Sequence, residues 1–220
     1  MTSQAPTAAP LVIAVDGPAA SGKGTIARAL ARHFGLPQMD TGLLYRAVAL
    51  NLFRFGGDPG NELEAVRACD LSVISFDDEE LRSEIVGSYA SRISAYPAVR
   101  AHLFDRQRNF AAQAGGAVLD GRDIGTVIAP QATAKLFVTA ATDVRATRRL
   151  AELIKRGMNV HYDEVLADIH ARDERDSGRD AAPLVQADDA LLLDTSAMEV
   201  AAAIAAALAL VEGRLAAVKR

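Results

Sequence analysis

Gly17-Pro18-Ala19-Ala20-Ser21-Gly22-Lys23-Gly24-Thr25 is the stretch of this 220-residue chain with the most chemistry in it. Successive backbone N–H groups at a glycine-bounded turn, continued by a helix N-terminus, form a cradle for anionic oxygens, and glycine lets the backbone approach a phosphate closely. Lys23 can then reach the terminal phosphates as a mobile point charge. The apolar run 11–15 precedes the turn and a helical pattern starting near Thr25 follows it. Strand, lysine-bearing turn and helix in this order predict binding of a nucleoside triphosphate across residues 17–25, with Lys23 as the charge at the transferred phosphate.

One position narrows the chemistry. The usual loop of this kind places Ser or Thr directly after the lysine; here that place holds Gly24, and the hydroxyl follows at Thr25. Lys-Gly-Thr at this point resembles the nucleoside monophosphate kinases rather than GTPases or motor ATPases. Magnesium would be held largely by water, by nucleotide oxygens and by one carboxylate acting through water, which suits an ion that dehydrates reluctantly.

Three further constellations carry charge where such a site needs it. Asp40-Thr41-Gly42-x-x-Tyr45-Arg46 follows the second apolar run. Thr41 could serve as a helix N-cap alone, but that leaves Arg46 unexplained, one turn on. Asp40 is divided between a local hydrogen bond and a role at metal or substrate. Asp120-Gly121-Arg122-Asp123 ends the third run: Asp120 can hold magnesium through water and Arg122 can clamp a phosphate bidentately. Asp123 adds negative charge beside an anionic substrate, so it fits recognition of a hydrogen-bond donor such as the amino group of cytosine or adenine. Arg172, Arg175 and Arg179 are spaced by three and four, which on a helix puts them on one face. Their neighbours Asp173, Glu174 and Asp176 would suit a salt-bridged surface helix. A phosphate site instead calls for arginines that close over the transferred group. Arg145, Arg148 and Arg149 divide in the same way between a solvated helix face and a hinge that contacts ATP.

Other chemistries find no support. His33, His102, His161 and His170 show no metal-ligand spacing, and no Ser-His-Asp or Cys-His pairing is apparent. A phosphate acceptor is already largely anionic near pH 7, so transfer to it requires positioning and charge rather than a general base.

The elements that must hold these residues alternate. Apolar runs at 11–15, 36–39, 117–120, 135–139 and 190–194 read as buried parallel strands, and helical patterns fall at 25–34, 43–55, 98–114, 143–156, 162–172 and 197–218. This predicts a five-stranded parallel α/β sheet covered on both faces, with ligands beyond the carboxyl ends of the strands. Two regions break the alternation: residues 56–97, with a short alternating run at 71–76 and the acidic turn Asp77-Asp78-Glu79-Glu80, and the charge-dense residues 157–183. Both read as mobile lobes on one core.

Composition sets the remaining bounds. Half the residues are hydrophobic, and a formal charge of −4 argues against general affinity for nucleic acid or anionic membrane. A single cysteine, Cys69, permits no internal disulfide and reads as a small buried hydrophobe in a reducing compartment, with cytoplasm the expected location. Residues 1–10 read as a disordered lead-in rather than a signal peptide, and the alanine-rich stretch 197–218 as a helix on the core rather than a membrane span. Nothing demands an interface, so a monomer is expected.

Taken together, the motifs are similar to those of the bacterial cytidylate (CMP) kinases. The match runs from about Leu11 to Asp194 through Val-Asp-Gly-Pro-Ala-Ala-Ser-Gly-Lys-Gly-Thr, Asp-Thr-Gly-x-x-Tyr-Arg and Ser91 with Tyr96-Pro97-x-Val99-Arg100. It continues through Asp-Gly-Arg-Asp-Ile-Gly-Thr at 120–126, Arg172-Asp173-x-Arg175-Asp176-x-x-Arg179 and Ala182-Pro183-Leu184. The resemblance implies a P-loop core at about 11–40, 115–150 and 184–220, a lobe for the nucleoside monophosphate with an insert at about 41–114, and a short lid at about 151–183. It places Thr41, Arg100 and Asp123 around cytosine, Ser91 and Asp176 near base or sugar, and Arg46, Arg122 and Arg179 on the acceptor phosphate. Arg172 falls on sugar or phosphate. It further implies ATP with Mg2+ as donor, held by residues 17–25 with Arg148 and Arg149, transfer assisted by Lys23, Arg122, Arg172, Arg175 and Arg179, and CMP or dCMP as acceptor. A carboxylate at Asp123 would accept from the N4 amino group of cytosine, whereas uracil would set a carbonyl against it, at a cost on the order of 1–3 kcal/mol. Thr41 stands where many members carry serine, and the insert near 76–82 is shorter than usual. A kinase of the same fold for another small acceptor and a nucleotide-dependent switch are the rival readings; the switch leaves Arg46, Arg122 and Arg179 without a purpose.

Overall fold

The computed structural model describes residues 10–218, so apart from Pro10 the expected N-terminal lead-in lies outside the described residues. Strands β1 (Leu11–Asp16), β2 (Gln38–Asp40), β3 (Gly116–Gly121), β4 (Ala134–Thr139) and β5 (Leu191–Asp194) pair in parallel in the order β2-β3-β1-β4-β5. Between them lie α1 (Lys23–Phe34), α2 (Thr41–Arg54), α3 (Glu62–Arg67), α4 (Glu84–Ile93), α5 (Pro97–Ala111), α6 (Thr142–Lys155), α7 (Tyr162–Gly178) and, after β5, α8 (Val200–Val218). A 3-10 turn covers Glu79–Arg82 and a π-helical turn Ile124–Ile128.

Alternation along the central strands explains the two covered faces. Ile13, Val15 and Val118 pack with Ile26 and Leu30 of α1 and with Ala203, Ala207 and Val211 of α8. Val12, Ala14, Ala117 and Leu119 turn the other way, onto Ile124 and Ile128 and the side chains of α5. α8 is long and apolar enough by length and composition to cross a membrane, yet it lays one face on the sheet core.

A second core joins α2, α3, α4 and α5, built on Leu44, Val48, Leu52, Val86, Ile93 and Val99. The short alternating run at 71–76 forms turns here, and α3 and α4 are helices that the apolar pattern did not announce. Local signals for both existed. Asn61 caps α3 by accepting from Leu63 N and Glu64 N, and Ser83 caps α4 by accepting from Val86 N at 3.3 Å. The β-branched residues and glycine of Glu84-Ile85-Val86-Gly87 lower helix propensity and hid α4. Gly87 has a packing reason: a Cβ there would lie 2.8 Å from Nη2 of Arg46. Cys69 is half-buried against this core, as expected of a small hydrophobe.

α6 and α7 pair through Ala146, Leu153, Val165 and Ile169. α7 runs on past the expected end at 172 to Gly178, so Arg172 and Arg175 lie on it, but Arg179 is the first residue beyond, with extended backbone. The three arginines therefore do not share a helix face as their spacing suggested.

Candidate active site

The carboxyl ends of β1, β2 and β3 open into a cleft of about 390 Å3 whose other walls come from α2, α4, α6 and α7. The lysine-bearing turn forms its floor. Gly17 begins the turn at φ +153°, and a Cβ there would sit 2.0 Å from the carbonyl oxygen of Val138, so only glycine lets the turn lie against β4. Lys23 opens α1, and its Nζ donates to the carbonyl of Pro18 at 3.2 Å. Burial and the guanidinium of Arg122 push the Lys23 ammonium down to about 7, against the pull of Asp120, Asp40 and Asp176. A polyanion arriving beside Lys23 would favour the charged form.

Asp120, at the tip of β3, is 2% exposed and accepts from Nε2 of Gln38 at 2.7 Å. Desolvation and the charge of Asp40 push it up to about 6, with Lys23 pulling the other way. Two carboxylates beside the turn, Asp40 and Asp120, fit a magnesium ion held mainly by water and nucleotide oxygens. No cluster of three or more candidate metal ligands occurs among the described residues.

On the far side of the cleft Asp123 is buried and ion-paired with Nη2 of Arg100, while Nη2 of Arg179 lies 3.8 Å from its other oxygen. Burial raises the Asp123 carboxyl, and Arg100 and Arg179 pull it back down. The Arg100 guanidinium stands 5.8 Å from the ring centre of Tyr45. Thr41 lines the cleft, but its hydroxyl donates to the carbonyl of Asp120 at 2.9 Å, which ties α2 to β3.

Between these two ends lies a crowd of guanidinium groups. Arg122 Nε donates to Asp176 at 2.6 Å. Burial and Arg122 push Arg172 down to about 10. Nε of Arg172 and Nη2 of Arg179 are buried donors with no hydrogen-bond acceptor among the described residues. Buried cationic donors left in this state are a complement for an anion with several oxygens.

Other residues singled out in the sequence are engaged elsewhere in this conformation. Arg46 lines the cleft while donating to the carbonyls of Leu81 and Ser83, at 2.8 and 3.2 Å, and so holds the 3-10 turn and the start of α4. Arg175 donates from Nε to Ser91 Oγ at 3.1 Å, joining α7 to α4. Arg149 is ion-paired with Glu84 and Glu152. Arg145 is 4% exposed and spends its donors on Ala19, Ala140, Thr142 and Asp173, a structural role in place of the hinge or ATP contact weighed above. A second cavity of about 750 Å3 lies beyond Ala20, Ser21 and Gly22 and is lined by Arg148, Thr195, Met198 and Ile204. Arg148 frames it by donating to Thr195 Oγ1 at 3.0 Å and to the Thr195 carbonyl at 2.7 Å.

Three residues escaped the sequence reading. Asp16 was visible only as a polar strand end; Glu84 follows the Ser83 cap; Thr195, which donates to the carbonyls of Ser21 and Thr139, carries no local signal at all.

A parallel sheet with a lysine-bearing phosphate loop after its central strand, and a cleft rich in arginine across the strand ends, defines a phosphotransferase of the P-loop class. The comparisons narrow the class. Residues 13–213 match the cytidylate kinase family. The chain is 61% identical over 206 residues to a cytidylate kinase of Xanthobacter autotrophicus, covering 93% of this chain and 98% of that protein. It is 56% identical over 203 residues to a cytidylate kinase of Methylocella silvestris, covering 92% and 94%. A solved structure of an uncharacterized protein from Eubacterium ventriosum shares the fold, with TM-score 0.56 at 17% identity over 92% of this chain and 98% of that one. The chain belongs to the cytidylate kinase family.

Proposed function

We propose that this enzyme transfers the γ-phosphoryl group of ATP to CMP or dCMP, giving ADP and the corresponding diphosphate. The observation that carries the reading is the arrangement of one cleft. Lys23 stands at its loop end, the Arg100–Asp123 pair at its other end, and donors of Arg172 and Arg179 without a hydrogen-bond acceptor among the described residues are buried within it.

In this reading residues 17–25 hold the triphosphate, with Lys23 near the transferred group, and the cavity beside Arg148 takes the adenine. Asp120, with Asp40, would hold Mg2+, which screens the phosphate oxygens when bound. Arg122, Arg172 and Arg179 stabilise charge on the transferred group and its acceptor; Arg46 joins them when it leaves the Leu81 and Ser83 carbonyls. Asp123 and Arg100 give up part of their mutual pairing to the N4 amino group and the ring acceptors of cytosine, and Ser91 and Asp176 lie toward base and sugar. We further propose that residues 41–114 act as the acceptor lobe and 151–183 as the lid, in a monomeric cytoplasmic protein. The test is ADP release from Mg-ATP with CMP, dCMP, UMP, AMP and dTMP offered separately. Turnover concentrated on CMP and dCMP supports the assignment; preference for another acceptor discards the base pocket.

A further inference from the structure

We infer that Asp16 is a positioning residue for base selection, holding the π-helical turn that presents Asp123. The inference rests on the reading of Asp123 as the base contact, and it concerns the residue that directly precedes the phosphate loop, where an effect on ATP alone would be expected.

The geometry is as follows. β1 delivers Asp16, 5% exposed, next to β3, its Cα partnered with that of Gly121. Its two carboxylate oxygens accept separately from backbone N–H groups of the turn after β3: Oδ1 from Ile124 at 2.8 Å and Oδ2 from Gly125 at 2.7 Å. Those are the first N–H groups of the turn, which has no earlier carbonyls to receive them. Asp123, the residue before the turn, makes no side-chain cap of its own, and its carbonyl accepts from Val127 and Ile128. The capping carboxylate is therefore supplied across the sheet by Asp16. The capped N–H groups begin at the residue directly after the one whose side chain pairs with Arg100 and faces Arg179.

The site admits no loose substitute. A Cβ at Gly125 would lie 3.3 Å from Asp16 Oδ2 and 3.1 Å from Cδ of Lys135, so turn, carboxylate and lysine stem are already in contact. Desolvation pushes the Asp16 carboxyl up to about 6 even though Ile124 and Gly125 donate to it, so a buried anion is retained here with two backbone donors as its direct partners. A geometry-fixing role accounts for it: a carboxylate with two acceptors sets the tilt of the turn about two axes, whereas an amide at the same place would turn its NH2 against one of the N–H groups.

The experiment measures kcat and KM for CMP and UMP, and KM for ATP, in wild type, Asp16→Asn, Asp123→Ala and the double variant. Wild type should favour CMP, and Asp123→Ala should erase roughly tenfold or more of that preference, as loss of a polar base contact does. Asp16→Asn should lower the CMP to UMP ratio by a similar order, chiefly through KM for CMP, with KM for ATP shifted by less than about twofold. In the double variant the two losses should not multiply, because both act through Asp123. If Asp123→Ala leaves the ratio unchanged, the base-contact reading fails. If Asp123→Ala lowers it but Asp16→Asn does not, or if the two losses multiply, the role of Asp16 is overturned while the base contact stands. Should Asp16→Asn fail to fold, Gly125→Ala crowds the same carboxylate from the turn side. It must then reproduce both the lowered ratio and its non-additivity with Asp123→Ala, and an unchanged ratio in a folded Gly125→Ala overturns the proposal.

Discussion

Arg122 and Asp176, 54 residues apart in sequence, meet at 2.6 Å and join the tip of β3 to the last turn of α7. The pair lines the cleft together with Arg172 and Arg179. Burial alone would raise the Asp176 carboxyl, but Arg122, Arg172 and Arg179 hold it below the usual carboxylate range.

A first prediction follows for Asp176→Asn. Removing one partner of a largely buried pair leaves Arg122 uncompensated, so unfolding free energy should fall by about 2–3 kcal/mol at pH 7. The sign with pH is set by the lowered carboxyl: its stabilisation is complete above the unfolded value of 3.8 and is lost as pH falls through the folded one. Denaturant midpoints for wild type and variant should therefore converge below about pH 4; a gap that stays constant into acid would show that the ion pair is not its source.

Lys23→Ala should lower kcat by about a hundred- to a thousandfold, the usual loss for one preorganised charge at the reacting group. KM for the acceptor should change far less. Near-normal kcat would remove Lys23 from the reacting end of the cleft.

ATP binding should take up a proton above neutral pH. With the Lys23 ammonium pushed down to about 7 by burial and Arg122, the free enzyme at pH 8 holds that amine mostly neutral. The triphosphate brings negative charge beside it and drives protonation; at pH 6 the amine is charged beforehand and uptake should vanish. Calorimetry in two buffers of different ionisation enthalpy reads the proton count. Uptake that persists unchanged in Lys23→Ala would assign it to another group.

Arg145→Met should destabilise the fold by about 3 kcal/mol, because Asp173 and the carbonyls of Ala19 and Ala140 lose a buried donor. Thermal denaturation should show the loss in the absence of any nucleotide. A variant of normal stability with a raised KM for ATP would instead make Arg145 a nucleotide contact.

Much of the core was legible in the chain because its signals are local. An apolar run followed by Gly17, Gly22 and Lys23 dictates strand, turn and helix by sterics and hydrogen bonding within about ten residues. The strand tips at Asp40 and Asp120 could be placed on one side of the sheet once its parallel order was inferred. The second core, of α2 to α5, was less legible: α4 had only Ser83 as a start signal, and its Gly87 answers to Arg46, 41 residues earlier.

By itself, then, the sequence determined the phosphate loop, the alternating strand and helix order and the residue types at the strand ends, since each depends on neighbours in the chain. Tertiary structure alone decided how the charges are shared out. It paired Arg122 with Asp176 and Arg145 with Asp173, left donors of Arg172 and Arg179 without acceptors among the described residues, and set Asp16 under the turn behind Asp123. Spacing along a helix cannot assign such partners, because a guanidinium's partner depends on which strand tips and helix ends converge, and on how little water remains between them.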